Sequence, residues 1–148
     1  MPLSLEPWIP RALALLRIVA ALLFFEHGTM KILSFPVGPD NQTGVPAETL
    51  FWYAGLLELF GGPLLLVGLF TRPVAFILSG QMAFAYFLTH ARHGLFPAAT
   101  EGDAAILFCF IFLFLVVAGP GAWSLDGRFA KSRPRSLAGS KSVALWKR

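Results

Sequence analysis

Four long apolar runs, separated by short segments rich in turn-forming residues, dominate this sequence. They cover residues 12–33, 50–70, 74–90 and 104–118. About 20 consecutive apolar residues are needed for a helix to cross the hydrocarbon core of a bilayer, and the last two runs lie near the short end of that range. Because lipid offers no hydrogen-bond partners, each run must pair its own backbone groups and is predicted to be an α-helix.

The composition indicates an integral membrane protein. Of 148 residues, 56% are hydrophobic and 14% are charged, whereas charged residues make up about 25% of a typical soluble domain. The length suits one small domain. We therefore predict an all-α bundle of four transmembrane helices over residues 1–126, followed by a basic cytoplasmic tail over residues 127–148.

The distribution of basic residues predicts the orientation of the bundle. Seven of the 12 Lys and Arg residues follow the fourth run, and Arg11 and Arg72 fall on the same side of a four-span topology. Cytoplasmic flanks of membrane helices carry an excess of Lys and Arg. We therefore expect a multi-pass protein of the bacterial inner membrane with both termini in the cytoplasm.

Glu58 places a carboxylate inside the second apolar run. A charged residue at the membrane centre costs roughly 2.5–3.5 kcal/mol on insertion scales, so it usually faces a partner or a cavity. His27 and Lys31, at i and i+4, lie about 40° apart on one face of the first predicted helix. His90 stands near the outer end of the third helix and Asp103 begins the fourth, so all four helices contribute a titratable group to one layer.

Three functions fit this layer, of which the first is quinone binding. A quinone carbonyl needs hydrogen-bond donors, for which His27 and Lys31 are candidates, while Glu58 is suited to relay a proton. We interpret Glu58 and His27 as the catalytic pair. Tyr86 adds an aromatic wall to the quinone-binding set, and His90 and Asp103 complete the pocket.

The second function is a metal site, and the third is a scaffold without catalysis. His27, Glu58, His90 and Asp103 are a His and carboxylate set suited to iron, zinc or manganese, although their spacing matches no diagnostic metal motif. In the scaffold alternative, the same groups only fix the helix register while the loops or the tail bind a partner protein.

Other features exclude several functions or suggest structural roles. The sequence has no motif for haem, flavin or an iron-sulfur cluster, and its single cysteine, Cys109, cannot form an intramolecular disulfide. The basic tail lacks the interleaved aromatics expected of a nucleic-acid interface. Near the cytoplasmic ends, we expect Asp126 to form a structural ion pair with Arg17 or Arg72.

Several motifs in this order resemble the DoxX family of small four-helix membrane proteins. They are His-Gly-x-x-Lys from His27, Glu-x-x-Gly-Gly from Glu58, Gly-Leu-x-Thr-Arg from Gly68, and Gly-Pro-Gly-x-x-Ser-Leu-Asp from Gly119. One departure is Asp103, where the family usually has a glutamate.

The resemblance to the DoxX family favours a role linked to quinone. The family takes its name from a thiosulfate:quinone oxidoreductase subunit, and other members look like partners of thiol-handling or antioxidant enzymes. The resemblance implies that the protein is a membrane redox subunit in contact with lipid and with a separate redox partner protein. Homo-oligomer formation stays open.

Overall fold

The computed structural model describes residues 5–37, 44–94 and 96–132, and this part of the chain is helical without strands. The predicted all-α class is therefore confirmed. The five α-helices are α1 (Ile9–Leu33), α2 (Leu50–Val67), α3 (Thr71–Ala85), α4 (Asp103–Ala118) and α5 (Leu125–Ser132). A 3₁₀ turn, Glu6–Trp8, leads into α1; a π-helix, Tyr86–His90, extends α3; and a second 3₁₀ turn, Pro97–Ala99, precedes α4.

The first four helices match the four predicted apolar runs, but the connection between α2 and α3 differs from the prediction. Residues 71–73, expected to form a tight turn, are the first turn of α3. Pro73 fits there because amides of the first helical turn have no intrahelical acceptor. The chain instead reverses at Gly68 and Phe70, which both adopt left-handed backbone angles, with φ of 68° and 51°.

The helices pack as two pairs, α1 with α2 and α3 with α4, with fewer contacts between the pairs. Glycines allow the first pair to approach closely: a Cβ at Gly28 would lie 2.5 Å from the backbone nitrogen of Leu59, and one at Gly62 would lie 2.8 Å from Cβ of Phe25. Small residues at such positions let two membrane helices touch along their backbones. The backbones of α1 and α2 therefore approach closely at Gly28 and Gly62.

An aromatic and aliphatic core joins the two pairs. Phe24 of α1 is buried and packs edge-on against Phe108 and Phe112 of α4, with ring centroids 5.4 Å and 4.9 Å apart. Between α3 and α4, the buried Ser79 donates a 2.9 Å hydrogen bond to the carbonyl oxygen of Cys109. Cys109 itself is partly buried against this core, as expected for a cysteine with a packing role.

Length and composition mark two helical segments as candidates to cross a membrane. They are Glu6–Leu33 and Leu50–Val67, and α4 is shorter but also apolar. Large apolar side chains, among them Phe60, Phe76 and Phe110, are well exposed on the outer surface of the bundle. The predicted tail starts at residue 127, and its residues 127–132 form the last part of α5. Residues 133–148 of the tail lie outside the described residues.

Candidate functional site

A cavity of about 320 Å³ lies between the helices at the end of the bundle where α1 ends and α2 begins. We call it the polar cavity. All of α1 to α4 contribute to its lining, and Phe24, Phe51 and Phe108 give it aromatic walls. Its polar lining residues are His27, Lys31, Glu58, Gln81, Thr89, His90 and Glu101.

An ion pair between α1 and α2 forms part of the cavity wall. Nζ of Lys31 lies 2.5 Å from Oε1 of Glu58, and the side chains are 26% and 1% exposed. Gly55, one turn before Glu58, leaves room for the lysine stem, because a Cβ there would lie 2.9 Å from Cβ of Lys31. The structure therefore brings together the carboxylate and the lysine that the sequence singled out.

Gln81 of α3 provides the second contact to this carboxylate, and it is not among the predicted site residues. Its Nε2 donates to Oε1 of Glu58 at 3.0 Å and to the carbonyl oxygen of Ala54 at 3.2 Å. The other oxygens, Oε2 of Glu58 and Oε1 of Gln81, are buried without a hydrogen-bond partner in the described part of the chain. A signal was available, since Gln81 is the single amide side chain in the third apolar run.

Both predicted histidines line the polar cavity, and both have Nδ1 bonded to a backbone carbonyl. Nδ1 of His27 lies 2.8 Å from the oxygen of Leu23, and Nδ1 of His90 lies 2.7 Å from the oxygen of Thr100. A carbonyl oxygen only accepts, so Nδ1 carries a proton in each ring. In the neutral imidazole, Nε2 is then a hydrogen-bond acceptor.

Two other predicted site residues do not line the cavity. Tyr86 instead stacks on His90, with ring centroids 6.5 Å apart and an angle of 20° between the planes. Both residues belong to the π-helix Tyr86–His90, whose i→i+5 turns are wider than those of an α-helix. Asp103 is exposed at the start of α4, and Glu101, two residues earlier, lines the cavity in its place.

The metal alternative is not supported by the geometry. Among residues 5–37, 44–94 and 96–132, no three His, Cys, Asp or Glu side chains group closely enough to hold a metal ion. The candidate set of His27, Glu58, His90 and Asp103 is thus not brought together as ligands.

Comparison with known proteins identifies the family. The DoxX family profile matches residues 12–91, from α1 to the end of the π-helix. The chain belongs to the DoxX family. An uncharacterized protein of Haemophilus influenzae is 45% identical over 131 residues, covering 86% of this chain and 98% of the relative. An uncharacterized membrane protein of Mycobacterium tuberculosis is 31% identical over 137 residues, covering 82% and 83%.

No solved structure matches the chain. The DoxX match and the mycobacterial relative support a membrane protein. The matched residues 12–91 contain every polar residue of the cavity except Glu101, and the closing motif from Gly119 lies beyond them.

At the opposite end of this DoxX bundle, Arg17 is fully buried and bonded to backbone carbonyls instead of a carboxylate. Its guanidinium contacts the end of α2 and the segment after α4. The five acceptors are the carbonyl oxygens of Leu65, Leu66 (2.6 Å), Pro120 (2.8 Å), Ala122 (3.3 Å) and Trp123 (3.0 Å). Carbonyls at a helix C-terminus lack intrahelical donors, so Arg17 ties two chain segments together.

Asp126 and Arg72 lie at the same end, also bonded to the backbone. The Asp126 carboxylate accepts from the amides of Phe70 and Thr71 at 2.9 Å and 2.8 Å, and Arg72 donates to the carbonyl of Val116 at 2.6 Å. The only ion pair within 4.0 Å in the described part of the chain is that of Lys31 and Glu58. The expected contact between Asp126 and an arginine is therefore replaced by helix capping.

The environment of Asp126 shifts its titration. Burial raises the pKa of Asp126, but hydrogen bonds from Thr71 and Phe70 and the positive charge of Arg17 outweigh burial. The net pKa lies below the ordinary value for an aspartate. Asp126 is therefore a carboxylate held in its charged form by the backbone that it caps.

Proposed function

We propose that this DoxX protein is a quinone-binding subunit of a membrane redox system. In this proposal, four spans cross the bacterial inner membrane, both termini are cytoplasmic, and the polar cavity opens in the outer half. The observation that carries the proposal is the buried carboxylate of Glu58, held by Lys31 and Gln81 in the wall of that cavity.

The energetics of this group favour a ligand site over a purely structural role. Ionisable groups inside a membrane bundle are costly and usually mark substrate or proton paths. A buried ion pair is often no more stabilising than apolar residues of the same volume. A network that served packing alone would also be expected to satisfy its members, yet one oxygen each of Glu58 and Gln81 lacks a partner.

The cavity suits an aromatic headgroup. Its volume of about 320 Å³ lies at the small end of the usual range for ligand pockets, about 300–1,000 Å³. Phe24 and Phe108 provide apolar walls, and the lining also includes polar side chains. We assign His27 and Lys31 to headgroup binding and Glu58 to proton relay, with His90 as a further polar group of the lining.

Tyr86 would act by holding the His90 ring, on which it stacks. In this proposal, electrons pass between the bound quinone and a substrate or a separate partner protein. The partner and the bound quinone are the parts of this proposal that depend on the family resemblance.

The first experiment asks what the purified protein carries. The full chain is purified in mild detergent beside Glu58→Gln and the control Glu48→Gln, which alters an exposed carboxylate before α2. Solvent extraction with mass spectrometry then measures quinone. We expect about one quinone per chain in wild type and Glu48→Gln, and little in Glu58→Gln. The neutral amide of the variant can neither form an ion pair with Lys31 nor take up a proton as the carboxylate does.

Two results would contradict this function. Quinone retained at full occupancy by Glu58→Gln would remove Glu58 from the site. Phospholipid without quinone in the wild type, together with a lower melting temperature of Glu58→Gln, would instead support the scaffold alternative, in which the ion pair only holds α1 to α2.

A further inference from the structure

We propose that the polar cavity binds the reduced, dihydroxy form of an aromatic headgroup more tightly than the oxidised quinone. This inference rests on the proposed quinone-binding function and specifies its ligand. Its basis is the balance of hydrogen-bond donors and acceptors around the cavity. A quinone carbonyl oxygen can only accept hydrogen bonds, whereas each hydroxyl of a hydroquinone can donate one as well as accept.

The two histidines contribute acceptors. Because Nδ1 of His27 and of His90 donates to a backbone carbonyl, each neutral ring has only Nε2 left for a ligand. That nitrogen carries no proton and accepts. The contacts to Leu23 and Thr100 thus fix the tautomer that a ligand meets.

Gln81 and Glu58 contribute two further acceptors. The orientation of the Gln81 amide is settled by its neighbours, since rotating it by 180° would place its oxygen against Oε1 of Glu58 and the carbonyl of Ala54. The amide oxygen is therefore the unpaired atom, and Oε2 of the Glu58 carboxylate is also unpaired. Unpaired buried acceptors favour a ligand that brings donors.

Donors are few around the same cavity. The hydroxyl of Thr89 donates to the carbonyl of Ala85, and both hydrogens of the Gln81 amide are directed to acceptors. Lys31 retains N–H groups beyond its contact with Glu58. Of the described polar residues in the lining, Lys31 is thus the main donor. One donor is enough for one carbonyl of a quinone, but the second carbonyl would then face only acceptors.

A hydroquinone matches this arrangement at both oxygens. One hydroxyl accepts from Lys31 and donates to a neighbouring carboxylate or amide oxygen, and the other donates to an imidazole Nε2. A site built of acceptors discriminates strongly against an analogue that lacks the donors. A tenfold preference for the reduced form would raise the midpoint potential of the bound couple by about 30 mV.

The test compares three ligands that share one ring. The full wild-type chain in detergent is dialysed anaerobically at pH 8 against tetramethylhydroquinone, tetramethyl-1,4-benzoquinone or the dimethyl ether of the hydroquinone. We expect the hydroquinone to bind roughly tenfold more tightly than the quinone, the effect of one net hydrogen bond. The ether, which has no hydroxyl, should bind no more tightly than the quinone.

Matched variants connect this preference to the histidines. His90→Phe and, separately, His27→Phe should reduce the ratio of the two dissociation constants toward one, while the exposed His93→Phe should leave it unchanged. Quinone binding equal to or tighter than hydroquinone binding in the wild type would overturn the inference and leave quinone binding intact. Binding of neither form would overturn both the inference and the proposed function.

Discussion

Arg17 is a buried charged side chain held by backbone carbonyl oxygens and, within the described residues, not by a direct ion pair. Its guanidinium reaches carbonyl oxygens at the end of α2 and in the segment from Pro120 to Trp123. A guanidinium carries five N–H donors in a rigid fork, whereas the ammonium group of a lysine has three. The contacts at Arg17 therefore depend on the shape of the group as well as on its charge.

We predict that Arg17→Lys lowers the melting temperature of the detergent-solubilised protein by several degrees. Lysine cannot reach all five carbonyls, and each buried acceptor left unpaired costs about 1–3 kcal/mol. The control is Arg11→Lys on the same helix, where the exposed guanidinium lies 4.9 Å from the ring centroid of Trp8. Equal melting temperatures for Arg17→Lys and wild type would show that a positive charge at this position is enough for stability, without the five hydrogen bonds of the guanidinium.

Individual site residues were predictable where depth in the membrane decided their position. Glu58 and Lys31 follow from the cost of a charge in an apolar run, and the structure pairs them. Asp103 is predicted to face the pocket because it begins the fourth helix, but the structure places Glu101 and not Asp103 in the cavity lining. Depth in the membrane does not give the direction of a side chain, and Glu101, just before α4, has a left-handed backbone with φ of 56°.

At the scale of elements, Asp126 links α5 to the start of α3. Phe70, the residue that precedes α3, has no capping side chain of its own, and the Asp126 carboxylate accepts from its amide and from that of Thr71. The amide of Asp126 in turn donates to the carbonyl of Gly68 at 2.9 Å. A helix cap supplied by a segment so distant in sequence leaves no local signal.

We predict a pH-dependent loss of stability for Asp126→Asn. Because the folded pKa of Asp126 lies below its ordinary value, the stabilisation is fully present above the unfolded pKa of about 3.9 and is lost as the pH falls through the folded pKa. At pH 7, thermal unfolding should therefore give Asp126→Asn a free energy of unfolding about 0.5–2 kcal/mol below that of the wild type, as for the loss of other helix caps.

The gap between wild type and Asp126→Asn should narrow as the pH is lowered below 4. The exposed Glu48→Gln is the control and should show no comparable gap at pH 7. A gap that stays constant down to pH 2 would show that the ionised carboxylate is not what caps α3.

At the level of elements, the positions of the helices were predictable from the sequence, whereas their irregularities were not. Hydropathy located α1 to α4 because apolar length is what a bilayer demands. The π-helix at Tyr86–His90 departs from 3.6 residues per turn, which hydropathy does not reveal. Tyr86, predicted to form an aromatic wall of the pocket, stacks on His90.

For the whole molecule, the pairing of α1 with α2 and of α3 with α4 places the polar cavity between two helical hairpins. The polar groups at one end then connect the pairs through Glu58 and Gln81, while Arg17 and Asp126 connect them at the other. If all four helices cross the bilayer, the turn before α2 and helix α5 must lie on opposite sides of the membrane.

We predict that single cysteines placed at exposed positions in a Cys109→Ala background will show this topology by chemical labelling. A membrane-impermeant maleimide added to intact bacterial cells should label Ala47→Cys, in the turn before α2, and should label Ala130→Cys, in α5, only after detergent opens the membrane. Three spans separate the two positions, so they must face opposite sides. Labelling of both in intact cells would require an even number of spans between them and would contradict the four-span bundle, whereas the reverse pattern would keep four spans and place both termini outside.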